Sequence, residues 1–172
     1  MQIHPIKFEC TQCGKCCERQ FAGAPLYIRD VESLSAYLRL TPAAFVERYC
    51  SIEMEDVEVD GQTVRVTGLR LRSNEGRCVF LKGKLCGVHD AKPYICKASP
   101  FVSQVFTFPD LENELRIVCD GYGQGKTYSS EEIRAWIEVE QEHEAADVER
   151  HLAGGLEQLG IVSGADTKPK EQ

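Results

Sequence analysis

The chain has 172 residues, enough for one domain, and 42% of them are hydrophobic, enough for a core. Twenty Lys and Arg against 27 Asp and Glu leave a formal net charge of -7, which argues against a nucleic-acid-binding surface. No apolar run approaches the roughly 20 residues of a membrane span. The opening "MQIHPIKFEC" lacks the basic-then-apolar order of a signal peptide, so a cytoplasmic location is expected.

The first predicted feature is "FECTQCGKCCERQF", which carries Cys10, Cys13, Cys16 and Cys17 in a C-x2-C-x2-C-C spacing. A helix is expected from about Asp30 to Leu38, with Asp30 as N-cap and Val31, Leu34 and Leu38 on one face. A second helix follows in "LTPAAFVERYC", capped by Thr41, with Pro42 in its first turn and Cys50 at its end as a buried core residue. Alternating Val57, Val59, Val64 and Val66 around Asp60-Gly61 predict a hairpin. "GLRLRS" and "RCVFLKGKLCG" read as further short strands, with Cys78 and Cys86 on either side of the Lys82-Gly83-Lys84 turn. "DAKPYICKASP" reads as a loop or short helix holding Cys96, and "LRIVCD" as a strand delivering Cys119 to a glycine-rich turn. Ser129 with Glu132 three residues on is a capping box. It opens a long helix to about Leu152, with Ile133, Trp136 and Ile137 buried and "EVEQEHEAADVERH" as a solvated face. The domain is expected to span 1–155, and 156–172 to be a flexible tail.

Nine cysteines are many for this length. Their odd number and the missing export signal point to metal ligation rather than to disulfides. Setting Cys50 aside leaves Cys10, Cys13, Cys16, Cys17, Cys78, Cys86, Cys96 and Cys119, or two sets of four. Four thiolates hold either Zn2+ or a [4Fe–4S] cluster. Consecutive side chains diverge, so Cys16 and Cys17 are expected to serve two neighbouring sites. Cys10, Cys13 and Cys16 repeat the spacing by which ferredoxins hold three corners of one [4Fe–4S] cluster, with Cys96 as the expected fourth ligand. That leaves Cys17, Cys78, Cys86 and Cys119 for the second site. Lys7, Lys15, Arg19, Arg77, Lys82, Lys84, Lys92 and Lys97 lie near cysteines in sequence and would favour the ligating thiolates.

The set Phe8-x-Cys10-x-x-Cys13-Gly14-x-Cys16-Cys17, Cys78-x-Phe80-Leu81, Cys86-x-Val88-His89-x-x-Lys92-Pro93-x-x-Cys96-Lys97-x-x-Pro100 and Cys119-x-Gly121 resembles the CxxCxxCC cysteine-cluster family. That family is also called YkgJ-like, a zinc- or iron-chelating domain. The resemblance spans residues 8 to about 126 and implies a small metal-binding domain with eight cysteine ligands. A relative of that family, the flagellin lysine N-methylase, carries a similar cluster. This chain is much shorter and shows no methyl-donor pocket motif.

Other signals carry less. "DGYGQGKT" fails as a phosphate-binding loop because Asp120 stands where its first glycine is required. Gly121, Gly123 and Gly125 instead let the backbone pass close to a site beside Cys119. His89 is expected to support a ligand rather than to be one, and His4, His143 and His151 to be exposed. The expected fold is α+β: short antiparallel strands, a helical pair near the N-terminus and a long C-terminal helix, stapled by metal. The first functional reading is an iron–sulfur protein with an electron-transfer or redox-accessory role. The alternatives are a zinc-binding structural or adaptor module with a protein partner, and an iron–sulfur-linked methyltransferase-like enzyme.

Overall fold

The structure, a computed structural model, describes residues 2–19, 23–59 and 61–161. The expected polar tail from 163 on, and Asp60 of the predicted hairpin, lie outside them. In chain order the elements begin with β1 (Ile6–Phe8), α1 (Lys15–Glu18), β2 (Pro25–Leu26), α2 (Ile28–Leu38) and α3 (Pro42–Tyr49). A long hairpin follows, β3 (Cys50–Val59) and β4 (Gln62–Leu71). Two miniature hairpins come next: β5 (Ser73–Asn74) with β6 (Arg77–Cys78), and β7 (Leu81–Lys82) with β8 (Leu85–Cys86). A 3-10 turn at His89–Ala91 leads to α4 (Tyr94–Ala98), α5 (Ser103–Thr107) and α6 (Pro109–Val118). The chain then forms β9 (Lys126–Tyr128), α7 (Ser130–Leu152) and α8 (Gly155–Gln158). All strand pairs are antiparallel, and the architecture is α+β as expected.

Two hydrophobic clusters fill the interior. The first joins α2, α3 and the β2-β4-β3 sheet through Ile28, Val31, Leu34 and Phe45, each 0% exposed, and reaches Phe80 and Val88. Burial of each such side chain contributes about 1.5–3 kcal/mol. The second packs β1, α4 and α5 onto α7 through Ile6, Ala98, Val105, Ile133 and Ile137. Leu156 and Ile161 are buried in the first cluster, so the described part of the expected tail is packed.

The second helix starts as its sequence requires, with the Thr41 hydroxyl accepting from the Ala44 N–H and Pro42 in the first turn. The box at Ser129 and Glu132 likewise opens α7. Other expectations need correction. Asp30 is not an N-cap. It lies one turn inside α2, where its carboxylate accepts from the Tyr27 N–H at 3.2 Å and from the Tyr94 N–H at 3.0 Å. Cys50 is buried, but it ends α3 and begins β3 rather than continuing a helix. The hairpin runs the full length of β3 and β4, from Cys50 opposite Leu71 to Val59 opposite Gln62, so the first four residues of "GLRLRS" belong to it, and Ser73 starts β5.

"LRIVCD" is not a strand. Ile117 and Val118 favour β structure locally, but Pro109 starts a helix, Asp110 and Glu112 occupy its first turn, and Arg116 pairs with Glu112 one turn on. The solvated face of α7 is interrupted too. Glu140 is buried at 2% exposure and accepts from the Ser103 N–H at 2.7 Å, while Asp147 accepts from the Ile28 N–H at 2.5 Å. Asp30, Glu140 and Asp147 thus each satisfy the first backbone N–H of a helix other than their own, donors that a helix cannot satisfy internally. His143 is half-buried, edge-on to Tyr94 at 4.4 Å between ring centroids, and His151 stands 3.2 Å from Asp147 with its side chain 10% exposed. His4 contacts Glu112 at 2.8 Å.

Candidate metal centre

The N-terminal cysteine segment is docked by backbone contact. Gly14, at φ 75°, lies so close to the Lys84 carbonyl that a Cβ there would collide with it. That close approach presses α1 onto the β7-β8 hairpin. The turn after Cys119 is fitted in the same way, with Gly121 against the Glu9 backbone and the Glu9 N–H donating to the Gly121 carbonyl at 3.1 Å. Salt bridges add to this: Lys15 to Asp120 at 2.5 Å and Arg19 to Glu114 at 3.0 Å. Glu112 binds the same region together, accepting from Tyr122 at 2.7 Å, from Arg116 at 2.8 Å and from His4 at 2.8 Å. Sequence reading missed Glu114 and Asp120, whose partners lie 95 and 105 residues away, and the contact of Glu112 with His4, 108 residues away, none of which leaves a local signature.

The docking gathers four sulfurs. Cys16 and Cys17 on α1 are 3.9 Å apart, and Cys78 of β6 and Cys86 of β8 lie near enough to Cys17 to push its thiol up. The adjacent side chains therefore converge. The hydrogen bond with Cys17 holds Cys16 at about 7, and likewise Cys78 at about 7 and Cys86 at about 6, below an ordinary thiol. The Cys17 proton is held the more firmly for the same contacts. The ammonium of Lys92 favours the thiolate at both Cys16 and Cys86, and His89 favours it at Cys86.

The other expected ligands are placed differently. Cys96 is half-buried in α4, where burial and the negative charge of Cys16, Cys78 and Cys86 push its thiol up. Cys119 caps α6. Burial raises its thiol, the Gly121 backbone N–H lowers it, and the charge of Cys13 raises it further. Cys10 is exposed and stands apart, at the mouth of a cavity. Cys50 is buried in the first hydrophobic cluster.

The chemistry of the first four donors fits a soft metal ion. Tetrahedral sulfur coordination at about 2.3 Å from zinc puts neighbouring sulfurs about 3.8 Å apart, and Cys16 and Cys17 are 3.9 Å apart. The sulfurs are gathered but not closed round one point. Among the described residues, no group of three or more His, Cys, Asp or Glu side chains is arranged to hold a metal ion. No helix of the described residues is long and apolar enough to cross a membrane.

Among curated proteins, the uncharacterized protein MJ0661 of Methanocaldococcus jannaschii is 26% identical over 106 residues, which are 60% of this chain and 50% of that protein. The chain thus spans about half the length of the curated relative it matches. No solved structure matches. Residues 9–145 match the family pattern described as "CxxCxxCC: Putative zinc- or iron-chelating domain". That span takes in all eight of the grouped and neighbouring cysteines, and the chain belongs to the CxxCxxCC family of zinc- or iron-chelating domains.

Proposed function

We propose that the protein is a metal-stapled structural or adaptor domain whose primary site is a mononuclear tetrathiolate of Cys16, Cys17, Cys78 and Cys86. Zinc is the metal in this reading. The observation that carries it is the 3.9 Å contact of Cys16 with Cys17, with Cys78 of β6 and Cys86 of β8 near enough to shift the Cys17 thiol. Ligands to different irons of a cubane are spread round its iron–sulfide core. A pair of adjacent sulfurs at 3.9 Å suits one ion better. Among divalent metals, zinc binds such sites more tightly than iron does. Loading replaces the thiol protons and draws the sulfurs together, so binding energy becomes folding energy. The staple joins α1 to β6 and β8, and it requires reduced thiols, which a cytoplasmic location would maintain.

A second reading keeps the iron–sulfur expectation. Cys13 and Cys119 lie near Cys16, and Cys10, Cys13 and Cys16 retain the ferredoxin spacing. Electron transfer would then be the function. Metal and acid-labile sulfide analysis of anaerobically purified protein separates the two. Zinc without sulfide, and tetrahedral thiolate bands after Co2+ replacement that vanish in Cys17→Ala, support the tetrathiolate. Brown protein containing iron and sulfide overturns it in favour of the cluster.

A further inference from the structure

Beside the cysteine region lies a cavity of about 430 Å3, within the size range of small-molecule sites. Its walls are unusually aromatic. Phe101 meets Phe8 edge-on at 5.7 Å between centroids, Tyr128 at 4.4 Å and Trp136 at 6.3 Å. These four rings come from β1, the segment between α4 and α5, β9 and α7, so the box exists only in the assembled fold. Two ammonium groups, Lys97 and Lys126, complete the lining. Lys126 is shared between the Tyr128 ring face, 4.7 Å from its centroid, and Glu132 at 2.5 Å. Lys97 is exposed at the end of α4. The carboxylate in the lining is Glu9, whose side chain packs against Gly125.

We infer that this cavity is a binding site for a planar aromatic anion, its ring packed against Phe8, Tyr128 and Trp136, which the buried Phe101 backs, and its negative group directed to Lys97 and Lys126. Ring faces attract flat apolar ligands, and the two cations select among them for a negative charge. An aromatic box for a cationic ligand would place carboxylates, not lysines, where Lys97 and Lys126 stand. The inference does not depend on the proposed tetrathiolate, of which Cys10, the cysteine in the lining, is not a member.

Trp136 is the single tryptophan of the chain, so its fluorescence reports on the box directly. The intact protein is titrated with AMP and with phthalate, two planar aromatic anions, and with adenosine and inorganic phosphate, which each carry only half of that chemistry. Saturable quenching by AMP or phthalate, tighter than by either control, is expected. Lys97→Met and Lys126→Met should each weaken it by about two- to fivefold, the worth of an exposed ion pair. Circular dichroism checks that both variants stay folded, and calorimetry gives affinity independently of fluorescence. The inference is overturned if neither planar anion gives saturable binding, if adenosine binds as tightly as AMP, or if the two lysine variants bind like the wild type.

Discussion

Cys17 touches Cys16 across 3.9 Å although the two are consecutive residues of one four-residue helix. On a regular helix neighbouring side chains point about 100° apart. Here α1 is short, and Gly14 lets it lie close against the Lys84 carbonyl of the β7-β8 hairpin, which brings Cys17 near Cys78 and Cys86. In the proposed tetrathiolate, that adjacency would make one edge of the four-sulfur group.

Removing one corner should dissolve that group. Cys17→Ala is expected to lose the bound metal, as measured by elemental analysis, and to melt like the chelator-stripped wild type. Both should melt about 10 °C below the loaded protein, for a loss of about 3–5 kcal/mol in a chain of this size. Retention of a full metal equivalent in Cys17→Ala would remove this residue from the ligand set.

Cys50 should behave in the opposite way. Burial pushes its thiol up to about 12, and it lies in the hydrophobic cluster. In stripped, folded protein it should react with an alkylating reagent well after Cys16, Cys78 and Cys86. Cys50→Ser should cost about 1–3 kcal/mol, the penalty of a buried hydroxyl, and leave metal content unchanged.

Glu112 sets an acid sensitivity. Burial raises its carboxyl, but hydrogen bonds from Tyr122, Arg116 and His4 outweigh that and hold it below the usual carboxylate range. A folded value below the unfolded one gives stability that is present above the unfolded value and lost as pH falls through the folded one. Glu112→Gln should cost about 1.5–3 kcal/mol at neutral pH. The gap to the wild type should close in denaturant titrations at acid pH. A gap that stays constant on acidification would show that the charge of Glu112 does not supply the difference.

Two glycines provide a paired test of the docking. Gly14 and Gly83 both have positive φ, but a Cβ on Gly83 meets nothing within 4 Å, whereas one on Gly14 collides with the Lys84 carbonyl. Gly83→Ala should cost only the left-handed backbone strain, about 1–2 kcal/mol. Gly14→Ala should cost more and also weaken metal binding in a competition assay with a chromogenic chelator. Equal effects of the two substitutions would mean that α1 does not need its close seat.

What the sequence discloses and what it hides follow from range. Thr41, Pro42, Ser129 and Glu132 act within a turn of themselves, so the starts of α3 and α7 were readable. The hairpin was readable from its alternating valines, but its length depends on β4 also pairing with β2, which no local pattern reports. α6 was missed because Ile117 and Val118 carry a strand preference that Pro109 and the Glu112–Arg116 pair override. Glu140 and Asp147 looked solvated in a charged run, yet their partners are the backbone N–H groups of Ser103 and Ile28. For the candidate site, the eight cysteines were countable from the sequence. The convergence of Cys16 and Cys17 depends on how α1 meets residues nearly 70 positions later.

The pairing of β1 with β9 sets Ile6 opposite Tyr128. During synthesis, the cysteine-rich opening therefore leaves the ribosome long before its strand partner exists. Cys78 and Cys86 follow about 60 to 70 residues behind Cys17, and the strand that closes over Ile6 comes about 40 residues later still. Nascent chains carry the thiols of Cys10, Cys13, Cys16, Cys17 and Cys50 through that interval. Early thiol capture, by oxidation or by a wrong metal, is the hazard built into this topology, and in the proposed tetrathiolate the site can fill only once residue 86 has emerged.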